Sequence, residues 1–181
     1  MKEGNTRARF CARKLRQRPV GAGIGTLLVS DDNKYLLDLS EEFLRSIKYT
    51  GYCSIEYKFD KNSNSYFIIE PTVGRFEQNI TISKAIGINI PEIYYNLLNG
   101  GIVEYQAFKS PVYYINEYRD FISKASSRGR NKNSNGHTYR KIFSSIHVRD
   151  YFNPNDPVPM VMIIWIKFKS LIKRLSLIKK F

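Results

Sequence analysis

Cys53-Ser-Ile-Glu-Tyr-Lys-Phe59, then Asp60-Lys-Asn-Ser-Asn-Ser65, then Tyr66-Phe-Ile-Ile-Glu70 is the stretch on which the fold turns. Cys53, Ile55, Tyr57 and Phe59 alternate with Ser54, Glu56 and Lys58, the period of two that separates the faces of a strand. Tyr66 to Glu70 is a second β-rich run, and the polar segment between them reads as a turn, so the whole predicts a β-hairpin. A turn centred on Ser63 puts Tyr57 opposite Ile69 and Phe59 opposite Phe67 on the apolar face. The same register sets Glu56 directly opposite Glu70.

Carboxylates opposed across an antiparallel pair have Cβ atoms roughly 4.5 to 5.5 Å apart, and like charges placed so are destabilising. A hard divalent cation turns that cost into a site, because Mg²⁺ takes one or two carboxylates together with substrate phosphate oxygens. Two other readings stand beside it: Lys58 on the same face neutralises the pair, or the register differs by two.

Working outward, Ala8 to Arg18 alternates charge with Phe10, Ala12 and Leu15, as an edge strand whose basic residues share a face. Pro19 and Gly21, Gly23 and Gly25 break regular structure; they form no G-x-G-x-x-G fingerprint, and no Gly-Lys-Ser/Thr follows. Thr26–Ser30 and Tyr35–Leu37 read as strands about an Asp31-Asp32-Asn33 turn. A helix is predicted from Ser40 as N-cap to about Lys48, with Phe43, Leu44 and Ile47 inward. Beyond the hairpin, Pro71 to Arg75 is a turn. Ile80, Ile82, Ala85 and Ile86 have helical spacing over Glu77 to Ile86, and Gly87 suits the end of that helix. Another helix starts at Pro91 and runs through Tyr94, Tyr95, Leu97 and Leu98. Ile102 to Tyr114 returns to alternation. Asn153 to Pro157 is a turn, and Met160 to Phe181 a terminal helix, apolar at first and then basic on one side. The predicted class is α+β, a mainly antiparallel sheet with flanking helices. One lobe covers 1–122, a flexible basic loop 123–137, and an extension 138–181 ends in a basic amphipathic helix.

The net charge of +13 is unevenly distributed. Residues 1–20 carry seven basic side chains and one acidic, residues 21–123 nine and thirteen, and residues 124–181 thirteen and two. A nucleic-acid domain carries its basic stripe on its ordered elements, whereas here the excess lies at the two ends. The thirteen tyrosines and eleven phenylalanines are not interleaved with the basic runs as a base-stacking platform requires. Both features argue against nucleic acid. An apolar content of 43% suffices for a core, which excludes wholesale disorder. Cys11 and Cys53 are too few for a disulfide framework or zinc site. A reducing, cytoplasmic location is the expectation, since Met1 to Arg18 has no signal-peptide core. Val158 to Ile166, the longest nearly charge-free apolar run, falls short of the roughly 18 to 20 residues of a spanning helix. His137 and His147 have no catalytic partner visible in the sequence.

Phe10-Cys-Ala-Arg-Lys-Leu-Arg-Gln-Arg-Pro19 followed by glycines, Gly51-Tyr-Cys-Ser-Ile-Glu-Tyr-Lys58, Ile69-Glu-Pro-Thr-Val-Gly-Arg75 and Gly87-Ile-Asn-Ile-Pro91 together resemble the C-terminal half of an ATP-grasp carboxylate–amine ligase. The resemblance spans residues 10 to about 100. It implies an ATP-grasp C-terminal lobe with the N-terminal lobes absent, ATP and Mg²⁺ as cofactors, and Glu56 and Glu70 as metal ligands. Thr72 occupies the position of the family's third ligand, an asparagine. Arg75 would be the catalytic cation that stabilises developing phosphoryl charge, while Arg13, Lys14 and Arg16 would line the phosphate or acid-substrate side. Such ligases convert a carboxylate into an acyl phosphate that an amine then attacks. The implied partners are carboxylate and amine substrates and a separate chain supplying the N-terminal lobes. The alternative reading is a basic binding module for nucleic acid or an anionic membrane, with the terminal helix lying on the membrane surface.

Overall fold

The computed structural model describes residues 1–77, 80–101, 111–127 and 147–178. Its central strand is the apolar run Thr26–Ser30, buried throughout. That run lies in β2 (Ile24–Asp31), which pairs antiparallel with β1 (Cys11–Arg18) on one side and with β5 (Tyr113–Ile115) on the other. β6 (His147–Arg149) adds to β5 in parallel, giving a four-stranded mixed sheet ordered β1-β2-β5-β6. The hairpin is a separate two-stranded sheet, β3 (Cys53–Asp60) and β4 (Ser65–Val73). The chain is therefore α+β, as its pattern predicts, with one parallel pair added to the antiparallel ones.

Some of the helices among the described residues pack against the larger sheet. α1 is Lys34–Ser46, α2 Thr81–Ala85, α3 Ile90–Leu98, α4 Glu117–Ser127 and α5 Val158–Ile178. Ile82 and Ile86, four apart and so on one helical face, are fully buried with Leu28, Ile88, Ile90, Ile93, Val112 and Tyr114 in the core. Gly87 ends α2 at φ 94°, a left-handed conformation that glycine adopts without steric cost. Gly23 answers a different need: a Cβ there would lie 2.3 Å from the carbonyl carbon of Arg18.

Several boundaries differ from the expectation. Tyr35–Leu37 is the first turn of α1, not a strand, because Asn33 is the N-cap and its Oδ1 accepts from the Leu36 N–H at 3.1 Å. Ser40, predicted as the cap, lies inside the helix, where its hydroxyl donates to the Leu36 carbonyl and sits 2.9 Å from the Tyr57 hydroxyl. The predicted loop from Ser123 begins too early, since α4 continues through Ser127. This helix is held by polar contacts that carry no hydrophobic periodicity: Asn116 Oδ1 caps the Arg119 N–H, and the Ser123 hydroxyl donates to the Gln17 carbonyl. Of the helix expected over Glu77–Ile86, the described residues show Thr81–Ala85, and 78–79 lie outside them. The rest of the predicted basic loop and most of the strand region 102–114 lie outside the described residues.

Candidate functional site

In the hairpin, Glu56 pairs directly with Glu70 and Ser54 with Thr72, the register expected at the two acids. Nearer the turn the expected pairs do not form: Tyr57 lies opposite Ile68 and Phe59 opposite Tyr66. The turn is the cause. Asp60 pairs with Ser65, leaving the four residues Lys61–Asn64 as the loop instead of an odd number centred on Ser63. The Asp60 carboxylate accepts from the N–H groups of Asn62 and Ser63 and from the Ser63 hydroxyl, while Asn64 takes φ 50°. The Ser63 hydroxyl, with those amides, holds the Asp60 carboxyl below its ordinary range. Ile69 is then an extra residue on β4, a bulge that brings the two acids back into opposition.

The cation at this pair is neither absent nor Lys58. Lys14 of β1 places Nζ 2.6 Å from Glu56 Oε2, with the Gly23 carbonyl at 3.5 Å. Glu56 is half exposed, and Glu70 is exposed with no ion-pair partner among the described residues. Thr72 is buried. Arg75 follows Gly74 on the exposed turn after β4, with no acid paired to it among the described residues.

The basic residues of β1 do not share one face, contrary to the expectation. The register shifts on either side of Arg16, so Leu15 is an extra residue and the side chains around it are re-aimed. Arg13 Nε lies 3.3 Å from Asp31 and is largely exposed. Arg16 points to α4, where Nε and one Nη meet the two oxygens of Asp120 at 2.7 Å each. Asp120, fully buried, also accepts from the Thr26 hydroxyl at 3.1 Å. The structure thus brings Glu56, Glu70 and Lys14 together, places Thr72 and Arg75 along the same strand and its exit, and directs Arg13 and Arg16 elsewhere. Asp120 escaped the sequence reading because an acid in the first turn of a polar helix, beside Glu117, signals nothing until its distant partner is known.

Among the described residues no group of three or more His, Cys, Asp or Glu converges as a ready-made metal cage. A cleft of about 440 Å³ beside α1 is lined by Arg9, Asp38, Glu41, Glu42 and Arg45. Both of its arginines are already matched, Arg9 reaching Asp38 at 2.7 Å and Glu41 at 2.9 Å and Arg45 pairing with Glu41. Cys11 offers no nucleophile either, because burial, reinforced by Asp31, pushes its thiol up to about 11. Against an ordinary thiol near 9.0, the thiolate fraction near neutral pH falls roughly a hundredfold. Mass-spectrometric timing of iodoacetamide labelling is expected to show Cys11 slower than an unfolded-chain control by about that factor; equal rates would mean the thiol is not held protonated by the fold. No protein-family model, curated protein or solved structure matches the chain.

Proposed function

We propose that the hairpin and β1 form the phosphate side of a Mg·ATP site serving ATP-dependent carboxylate–amine ligation through an acyl phosphate, in the manner of an ATP-grasp C-terminal lobe. The observation that carries this reading is the direct opposition of Glu56 and Glu70 with Lys14 2.6 Å from the first of them. Opposed carboxylates are a standing repulsion, and a bulge is what keeps them opposed.

The donor set suits the ion. Two hard carboxylates, one reachable from solvent and one held by a displaceable lysine, match the preference of Mg²⁺ for one or two carboxylates plus phosphate oxygens. Bound there, Mg²⁺ would neutralise charge on the nucleotide phosphates. Glu56 and Glu70 would hold the ion, and the Thr72 hydroxyl lies on the same strand as a neutral oxygen. Lys14 neutralises Glu56 in the free protein and, once freed from it, is a point charge for a phosphate oxygen. Arg75, exposed on the turn after β4, would contact the transferring phosphoryl group.

The N-terminal basic run has less charge to offer nucleic acid than its composition suggests. Arg9, Arg13, Lys14 and Arg16 are each matched to acids, namely Asp38 and Glu41, Asp31, Glu56, and Asp120.

The test is calorimetric titration of the full chain with ATP, with and without Mg²⁺. Binding is expected to require Mg²⁺, and Glu56→Gln and Glu70→Gln are each expected to weaken it by about tenfold or more, near 1.4 kcal/mol. Mg²⁺-dependent binding that persists unchanged in both variants removes the metal assignment.

A further inference from the structure

We propose that α5 is a membrane-docking helix that lies in the plane of an anionic lipid surface, an inference independent of the hairpin reading. Val161, Ile164, Trp165, Phe168 and Ile172 recur at the helical spacing that makes one stripe. Every one of them is at least 50% exposed. Single exposed apolar residues need no explanation, but a contiguous stripe of large ones on a single helix marks an interaction surface.

The way α5 is held shows which side is free. Val158 N–H donates to the Asp156 carboxylate at the start of the helix, in a turn tied by the Asn153–Asp156 bridge. Upstream of that turn, the Glu117 carboxylate of α4 accepts from the N–H groups of Tyr151 and Phe152. Met160 and Ile163 are half-buried, and Lys167 Nζ lies 5.0 Å from the ring centre of Tyr118 on α4. Residues 160, 163 and 167 share one helical face, and the apolar stripe lies about a third of a turn round from it by the 3.6-residue period. The stripe is therefore on a side that the body of the protein leaves uncovered, and Met162 and Ile166, further round the same helix, are exposed as well.

Charge identifies the occupant. From Val158 onward the sequence has Lys167, Lys169, Lys173, Arg174, Lys179 and Lys180 and no Asp or Glu. Lys167 and Lys169 flank the stripe, and Lys169 Nζ sits 4.9 Å from the Trp165 ring centre. An indole at the border of an apolar stripe, with lysines beside it, is the arrangement of helices that lie at the headgroup boundary. A second copy of the chain is a poor occupant, because pairing the stripe with itself would bring like charges together. Crossing the bilayer is a different matter from lying on it: no helix among the described residues is long and apolar enough to span a membrane.

Trp165 is the one tryptophan of the chain and so reports on this stripe alone. The experiment adds the full-length protein to vesicles of phosphatidylcholine and to vesicles of phosphatidylcholine and phosphatidylserine mixed equally, following Trp165 emission and co-sedimentation. The expected result is a blue shift and pelleting with the mixed vesicles, little of either with phosphatidylcholine alone, and weakening as salt screens the attraction. Lys169→Gln is expected to reduce binding about fivefold, and Phe168→Glu or Ile164→Glu about tenfold or more. These side chains are exposed, so the variants should keep the wild-type circular dichroism spectrum. Trp165 emission unmoved by the mixed vesicles, equal binding to both vesicle types, or full binding by both glutamate variants would overturn the proposal. So would a concentration-dependent dimer that shifts Trp165 without lipid, which would assign the stripe to a second copy.

Discussion

Replacing Asp120 with alanine is expected to lower the folding stability by about 3 to 5 kcal/mol, the usual consequence of removing one partner from a buried ion pair. Asp120 is fully buried and meets the Arg16 guanidinium with both oxygens. The alanine variant strips that guanidinium of its bidentate carboxylate inside the protein and removes the acceptor of the Thr26 hydroxyl. Domains of this size have about 5 to 15 kcal/mol in total, so the loss should be plain in a urea unfolding curve, as a lower midpoint at an unchanged slope. The double variant Arg16→Met, Asp120→Leu is expected to recover most of it, because a well-packed apolar pair avoids desolvating the two charges. A loss below about 1 kcal/mol in the single variant would refute the role given to this pair. Arg13→Ala is the contrast: its link to Asp31 is exposed, and about 0 to 1 kcal/mol is expected.

Ile86→Ala is expected to cost about 2 to 5 kcal/mol, and Ile86→Val about 0.5 to 1.5 kcal/mol. Ile86 is fully buried against the β2–α2–α3 core, where lost methylene groups leave a cavity that close-packed neighbours fill only in part. Phe59→Ala serves as its counterpart. The alternation of β3 puts Phe59 on the apolar face of the hairpin, yet it remains 42% exposed, so its truncation should cost much less than that of Ile86. Paired denaturation curves decide it. A larger loss at Phe59 than at Ile86 would place the core under the hairpin and not beside β2.

The parts legible in the sequence are those whose information is local. A hairpin shows in the alternation of Cys53–Phe59 and the polar turn after it, and the opposition of Glu56 to Glu70 follows once the turn is roughly placed. α3 shows in Pro91 and the spacing after it, and the end of α2 in Gly87. The terminal helix shows as an apolar and then basic run. Errors begin where two local signals compete. Both Asn33 and Ser40 can cap a helix; in the fold the second lies inside it, its hydroxyl bonded back to the Leu36 carbonyl one turn earlier and set against Tyr57 of the hairpin. The bulge at Ile69 is invisible for a related reason, since a loop of four residues and one of five differ by less than the sequence pattern resolves.

The sequence by itself determined the elements with a strong period of their own, the class of the fold, and the pair of acids that the candidate site is built on. Only the tertiary structure decided that β6 joins β5 in parallel, that Leu15 splits the basic strand, that Lys14 reaches Glu56, and that Arg16 closes on an aspartate 104 residues away. Side-chain periodicity records how one segment divides its faces between water and protein. Which segment then lies against which depends on burial and charge pairing between residues far apart in the chain, and no spacing within a single strand or helix carries that information.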